Sequence, residues 1–129
     1  MIMLPWAVRI FLCTRPTDMR KSFDGLTGLV QECFGQDPLT GHLFLFVNRR
    51  RDRIKILYFD RDGLAIWYKR LEAGSFQRPP AAQADGMELQ ATQLAMILSG
   101  IDIKSARQRK RYQHAGSIST KGENQVGST

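Results

Sequence analysis

Residues 42–71, HLFLFVNRRRDRIKILYFDRDGLAIWYKRL, determine the fold that we predict for this chain. Three apolar runs, each long enough for a β-strand, alternate with two short polar segments. The runs are residues 43–47, 54–59 and 64–69. Short connections join antiparallel neighbours, so this pattern predicts a β-meander. The first connection, residues 48–53, carries four arginines, and the second, residues 60–63, has Gly63 available for a positive φ angle.

The segment before the meander predicts a strand and then the main helix. Residues 8–13 are β-rich and should extend the sheet. Residues 18–34 favour a helix because their apolar side chains repeat at helical spacing on one face. That apolar stripe consists of Met19, Phe23, Leu26, Val30 and Cys33. Thr17 or Ser22 can cap the start of the helix, and Gly35 suits a left-handed end.

The segment after the meander predicts a second, shorter helix. Residues 74–86 have the composition of an exposed loop, and residues 87–89 can add a short edge strand. Ala91–Ser99 favours a helix that ends at Gly100. We therefore predict a single α+β domain over residues 1–103, with an antiparallel meander of about four to five strands packed against the two helices. We expect residues 104–129 to be a basic, disordered tail.

The positive charge is concentrated in two places. The chain carries a formal net charge of +7, with a pI near 9.9. The first turn and the start of the next strand, from Arg49 to Lys55, contribute +4, and the tail from Lys104 to Arg111 contributes +5. The rest of the chain is therefore slightly acidic, at −2. Two cationic patches on a near-neutral body indicate a polyanionic partner, most simply nucleic acid.

The arginine turn is the main candidate for phosphate binding, because a guanidinium pairs with phosphate through two hydrogen bonds. We predict a nucleic-acid-binding set made of the turn, auxiliary cations on the adjacent strands and the tail. Its members are Arg49, Arg50, Arg51 and Arg53, then Lys55, Lys69 and Arg70, then Arg107, Arg109, Lys110 and Arg111. The alternatives are a solvated turn that protects the sheet from aggregation and a tail that only improves solubility.

Other side chains could support different chemistry. The aromatic residues of the strands could stack on bases, although aromatic residues in strands usually form the core. The carboxylates Asp18, Asp24, Asp60, Asp62 and Glu72 could hold the metal ions of a nuclease, but no spacing brings them together. The sequence has no nucleophile–base motif and no phosphate-binding glycine loop. We therefore predict no enzyme activity and no cofactor.

Two cysteines and an apolar N-terminus bear on the cell compartment. Cys13 and Cys33 lie twenty residues apart without metal-ligand spacing, which favours reduced, buried thiols over a disulfide. The apolar opening is shorter than the roughly 20 residues that a membrane span needs. We expect a cytoplasmic protein with no membrane partner.

Three sequence segments together resemble one protein family. They are PTDMRKSFDGL at 16–26, DPLTGHLFLFVNRRRDRIKILYFDRDGLAIWYKRLE at 37–72 and GSF at 74–76. The chain resembles the small TnpB-type accessory proteins, also called second-open-reading-frame proteins, of the bacterial insertion sequences numbered sixty-six. The resemblance covers about residues 8–78, with weaker agreement over residues 97–103.

The resemblance implies a role in transposition beside a separate transposase that carries the catalytic residues. It implies no catalytic residue for this chain. We expect a non-catalytic accessory protein that binds DNA, the transposase or both through its arginine turn. Two alternatives remain: an adaptor that docks on the transposase without touching DNA, and a metal-dependent nuclease.

Overall fold

The computed structural model describes residues 8–77 and 84–100. The elements follow the chain in the order β1 (Ile10–Cys13), α1 (Phe23–Leu29), a π-helical turn (Val30–Phe34), a 3₁₀ turn (Pro38–Thr40), β2 (Leu43–Val47), β3 (Arg53–Asp60), β4 (Gly63–Arg70), β5 (Gly86–Leu89) and α2 (Ala91–Ser99). These elements form the predicted α+β fold. Within the described residues, no helix has the length and apolar character needed to span a membrane.

All five strands join one sheet, in the order β4-β3-β2-β1-β5. The predicted meander is confirmed, because β2, β3 and β4 pair antiparallel in sequence order. β1 lies on the other side of β2 and pairs with it in parallel, with Ile10 opposite Leu43. A parallel pair needs a crossover, and the segment containing α1 supplies it. β5 pairs antiparallel with β1 and completes the sheet.

Helices cover both faces of the sheet. Alternate strand residues point to opposite faces, so each face collects its own apolar cluster. The α1 face consists of Phe11, Cys13, Phe44, Phe46 and Leu57, which pack with Leu26 and Val30 of the helical segment. The α2 face consists of Ile10, Leu12, Leu45, Val47, Ile54, Ile56 and Leu89, which pack with Phe76 and Ile97. The continuous apolar character of β2 follows from this arrangement, because both of its faces are covered.

The main helix starts later than predicted. The sequence pattern placed its start at residue 18, but α1 begins at Phe23 and residues 18–22 form a non-helical segment. The carbonyls of Met19 and Lys21 accept hydrogen bonds from Lys55 Nζ, at 2.8 and 2.7 Å. A carbonyl held by a distant lysine is not in the ladder of a regular first turn. A long-range contact therefore overrides the local helical pattern.

The predicted helix ends agree with the structure. Gly35 follows the π-helical turn with φ of 60°, and Gly100 follows α2 with φ of 83°, so both adopt the left-handed conformation. α2 has the predicted bounds. Ser22 occupies the N-cap position of α1, although its side chain makes no capping hydrogen bond.

The turn between β3 and β4 differs from its prediction. Gly63 was expected to supply a positive φ angle, but it begins β4 and Arg61 has the positive φ, at 59°. The connection between the two strands consists of Arg61 and Asp62. Within it, the Asp62 N–H donates to the carbonyl of Asp60 at 2.6 Å. An arginine therefore occupies a conformation that glycine adopts more easily.

The two cysteines meet although they are distant in sequence. Cys13 is buried on β1, and Cys33 is half-buried on the π-helical turn. Their two Sγ atoms are 3.6 Å apart. Both thiols are free. Burial raises the pKa of the Cys33 thiol to about 11, and the guanidinium of Arg15, with Nη2 2.9 Å from Cys33 Sγ, only partly opposes that shift.

We predict opposite stability effects for one substitution at two glycines. An added Cβ at Gly86 would lie 2.7 Å from the carbonyl oxygen of Cys33 and would collide with the Phe34 ring, whereas at Gly28 it would meet open space. Gly86→Ala should lower the free energy of unfolding by about 1–3 kcal/mol. Gly28→Ala should raise it by about 0.5–1 kcal/mol, because alanine favours the helix. Denaturant titration followed by circular dichroism measures both, and equal changes would contradict this packing.

We also predict slow alkylation of Cys33 in the folded protein. Only the thiolate reacts, and a raised pKa leaves less thiolate at a given pH. At pH 8, iodoacetamide should label Cys33 in the native protein at least about tenfold more slowly than in the unfolded chain, because burial raises the pKa of its thiol to about 11. Mass spectrometry of timed samples gives the rates. Equally fast labelling in both states would show that the thiol is not shielded.

Candidate nucleic-acid interface

The arginine turn between β2 and β3 has a backbone fixed by two polar side chains. Asn48 Oδ1 accepts hydrogen bonds from the backbone N–H groups of Asp52 and Arg53, each at 3.0 Å. Asn48 Nδ2 donates to Asp52 Oδ1 at 2.7 Å. The Arg51 N–H donates to the carbonyl of Asn48 at 3.0 Å, and Arg51 adopts a positive φ of 62°. Asn48 and Asp52 therefore set the shape of the turn, while the arginines supply its charge.

The segment after β4 also holds the turn through backbone hydrogen bonds. The carbonyl of Arg51 accepts a hydrogen bond from the Phe76 N–H at 2.6 Å, and the carbonyl of Asp52 accepts one from the Leu71 N–H at 2.7 Å. Phe76 is completely buried in the α2 face. The turn is therefore anchored to the core rather than projecting as a free loop.

The arginines of the turn differ in exposure. Arg49 and Arg50 are exposed, whereas Arg51 and Arg53 are half-buried. Within residues 8–77 and 84–100, Arg49, Arg50 and Arg51 form no ion pair. Their charges are therefore not neutralised by carboxylates of the described part of the chain.

The segment before α1 adds Arg20, a cation outside the predicted nucleic-acid-binding set. The Thr17 N–H donates to the carbonyl of Val47 at 2.9 Å, which places this segment beside the turn. Arg20 is highly exposed and pairs with Asp18, with Nη2 2.7 Å from Oδ2. The side chain and backbone N–H of Arg20 hold the pKa of Asp18 down, at about 2. The Asp18 carboxylate is thus charged at neutral pH, and it partly neutralises Arg20.

A shallow cleft of about 400 Å³ lies between this segment and the turn. Its lining residues are Thr17, Asp18, Met19, Arg20, Asn48, Arg49, Arg50 and Arg53. The cationic surface therefore extends from the turn to Arg20. The pair Arg20-Lys21 directly before the helical pattern was the available sequence signal, but only the fold shows that it lies next to Arg49.

Lys55 does not belong to the exposed cationic surface, contrary to the prediction from the sequence. Lys55 is 7% exposed, and its ammonium donates to the backbone carbonyls of Met19 and Lys21. The same ammonium lies 4.7 Å from the centroid of the Tyr68 ring, as in a cation–π contact. Lys55 occupies an inward-facing position between β4 and the segment before α1, so we omit it from the proposed binding surface.

The auxiliary cations of β4 lie on different faces of the sheet. Arg70 is opposite Arg53, and Lys69 is opposite Ile54 of the α2 face. Because opposite residues share a face, Arg70 joins Arg53 while Lys69 points to the other side. Arg53, Tyr68, Arg70 and Glu72 line a second cleft of about 310 Å³. Glu72 pairs with Arg70, with Oε2 3.0 Å from Nε.

The remaining predicted groups are separated from the turn or lie outside the described residues. Arg107, Arg109, Lys110 and Arg111 lie outside the described residues.

Asp60 and Asp62 lie at the far end of β3, about 23 Å from Arg53 at the usual rise per residue. Within the described ranges, no group of three or more histidine, cysteine, aspartate or glutamate side chains is placed to hold a metal ion. The aromatic strand residues considered for base stacking are divided, because Phe44 and Phe46 are buried in the core whereas Trp67 and Tyr68 are exposed.

Comparison with known proteins identifies relatives over most of the chain. Residues 8–108 match a family model described as IS66 Orf2 like protein. The chain is 35% identical to the uncharacterized protein y4hO of Sinorhizobium fredii (strain NBRC 101917 / NGR234) over 109 residues, which cover 84% of this chain and 94% of that protein. It is 32% identical to the uncharacterized protein y4jC of the same strain over 95 residues, covering 74% of this chain and 80% of that protein. No solved structure matches the chain.

We predict that Lys55 stabilises the fold. Lys55→Met keeps a long apolar side chain but leaves the carbonyls of Met19 and Lys21 without their donor. An unsatisfied buried carbonyl costs about 1–3 kcal/mol and these two are only partly buried, so the free energy of unfolding should fall by about 1–3 kcal/mol in total. Lys21→Met is the matched control, because the Lys21 side chain is exposed and the change there should be within about 0.5 kcal/mol. Urea titration compares the two, and an unchanged midpoint for Lys55→Met would contradict this role.

Proposed function

This chain belongs to the IS66 Orf2-like family, and we propose that it binds DNA during transposition of a bacterial insertion sequence. Family membership suggests an accessory role in transposition. We propose that the role is non-catalytic, that it is exerted in the cytoplasm beside a separate transposase, and that DNA is the direct partner of the arginine turn.

One observation carries the proposal: Arg49 and Arg50 are exposed on a turn whose backbone is fixed by the Asn48 side chain and by backbone hydrogen bonds from the segment after β4. Cations on a fixed backbone lose less conformational freedom on binding than cations on a flexible loop. The charges of these two arginines are also not neutralised within the described part of the chain. Together with Arg53, Arg70 and Arg20 they form a cationic surface suited to a phosphate backbone.

The opposition of Arg53 and Arg70 supports a binding role for this end of the sheet. Like charges directly opposite on paired strands are destabilising. Glu72 relieves part of this repulsion through its ion pair with Arg70. A polyanion that neutralises both arginines would relieve the remainder. The tail cations Arg107, Arg109, Lys110 and Arg111 would add phosphate contacts in this proposal.

A second candidate function is docking on the transposase. Arginines and tyrosines are the side chains that most often dominate protein–protein binding energy. Here Arg53 and Arg70 surround Tyr68, which is 48% exposed. Copurification of this protein with the transposase after nuclease treatment, retained in variants that no longer bind DNA, would favour docking over direct DNA binding.

We predict that charge reversal at the turn weakens DNA binding without unfolding the protein. About four to six phosphate contacts would give wild type a log–log salt slope of about −4 to −5 on duplex DNA. Arg49→Glu/Arg50→Glu should reduce the magnitude of that slope by about two and weaken binding at low salt by at least about tenfold. Fluorescence anisotropy with a labelled duplex across salt concentrations measures both quantities.

The matched control is Arg61→Glu, because Arg61 is also exposed but lies in the opposite turn of the meander. It should leave the salt slope nearly unchanged. Thermal melting of each variant checks that the domain remains folded. Wild-type affinity in a folded Arg49→Glu/Arg50→Glu variant, or equal losses in the control, would refute the turn as the binding surface.

A further inference from the structure

We propose that the cleft beside Tyr68 receives an unpaired base, so that the interface prefers single-stranded DNA to duplex DNA. The proposal rests on the proposed DNA-binding function and names the form of DNA that this surface recognises. Its basis is the second cleft, lined by Arg53, Tyr68, Arg70 and Glu72.

The Tyr68 ring is exposed yet held in place. It lies on β4, at the edge of the sheet, and is 48% exposed. The Lys55 ammonium lies over the ring at 4.7 Å, and the Tyr68 hydroxyl is 3.5 Å from Arg53 Nη1. A ring has two faces, and the ammonium is located over one of them. In this proposal the base stacks on the other face, and a ring already held by two contacts loses little side-chain freedom on stacking.

The charges around the ring suit a nucleotide. Arg70 follows Tyr68 by two residues and therefore lies on the same face of β4. Arg53 is directly opposite Arg70 on β3. A base stacked on Tyr68 would thus place its flanking phosphates near two guanidinium groups. The volume of about 310 Å³ is at the lower end of the range for small-molecule sites, which agrees with one nucleotide rather than a larger ligand.

Glu72 favours a base over a phosphate within this cleft. Its carboxylate lines the cleft and pairs with Arg70, so a phosphate placed beside it would be repelled. A neutral base would not be repelled, and its exocyclic amine could donate a hydrogen bond to the carboxylate. The phosphates would then lie outside the cleft, next to the arginines.

The geometry limits stacking to a single base. Trp67 is also exposed, at 41%, but it is opposite Ile56 and therefore lies on the α2 side of the sheet. Tyr68 and Trp67 cannot form a continuous platform, because neighbouring strand residues point to opposite faces. A base paired within a duplex has its faces covered by its neighbours, so only an unpaired base would have a face free for Tyr68.

The test compares a labelled single strand of 12 nucleotides with the duplex of the same sequence, using the full-length protein and fluorescence anisotropy. Wild type should bind the single strand more tightly. Tyr68→Leu should weaken single-strand binding by about tenfold, within the range for loss of one stacked base, and should leave duplex binding unchanged. Tyr68→Phe should stay within about twofold of wild type, because the ring is retained.

The matched control is Trp67→Leu, which removes an exposed aromatic side chain from the opposite face and should change neither affinity. A second measurement does not depend on the folding of any variant. Wild type should bind a single strand made of abasic nucleotides about tenfold more weakly than the normal strand, although the phosphates are the same.

The outcomes separate this proposal from the proposed function. If wild type binds neither form of DNA, both fail. If it binds duplex through the arginine turn but binds normal and abasic strands equally, only the stacking proposal fails. Equal losses on both forms of DNA in folded Tyr68→Leu would also overturn it, because the ring would then act on the fold rather than on a base.

Discussion

The buried ammonium of Lys55 connects the parts of the structure on which the candidate interface depends. It joins β3 to the segment before α1 through two carbonyls and lies over the Tyr68 ring of β4. An ammonium removed from water needs such partners, because an unpaired buried charge is strongly unfavourable. One side chain thereby contacts both the segment that precedes α1 and the aromatic ring at the second cleft.

The strands and helix ends could be predicted because local patterns specify them. The alternation of apolar runs and polar turns between residues 42 and 71 indicated the meander, and Gly35 and Gly100 marked the helix ends. The start of α1 could not be predicted, since hydrogen bonds from Lys55, more than thirty residues away, compete with the helical pattern. The parallel pairing of β1 with β2 is likewise set by chain topology rather than by residue pattern.

The candidate site was predictable in part. Four arginines in one turn were visible in the sequence, but composition does not distinguish an exposed cation from a buried one. Lys55 and Arg53 are two residues apart on the same strand, yet the Lys55 ammonium is enclosed by the chain while Arg53 lines both clefts. Arg20 lies on the cationic surface because its segment packs beside β2 in the folded chain. The sequence pattern does not show that contact.

The order of the strands has a consequence for chain entropy. The pairs of β2 with β3 and of β3 with β4 join segments separated by short turns. The pair of β1 with β5 instead places Ile10 opposite Leu89, which is distant in sequence. Closing a long loop costs more entropy than closing a short one. The arginine turn and Tyr68 thus belong to the part of the sheet with the most local pairing, and the distant closure falls on the opposite edge.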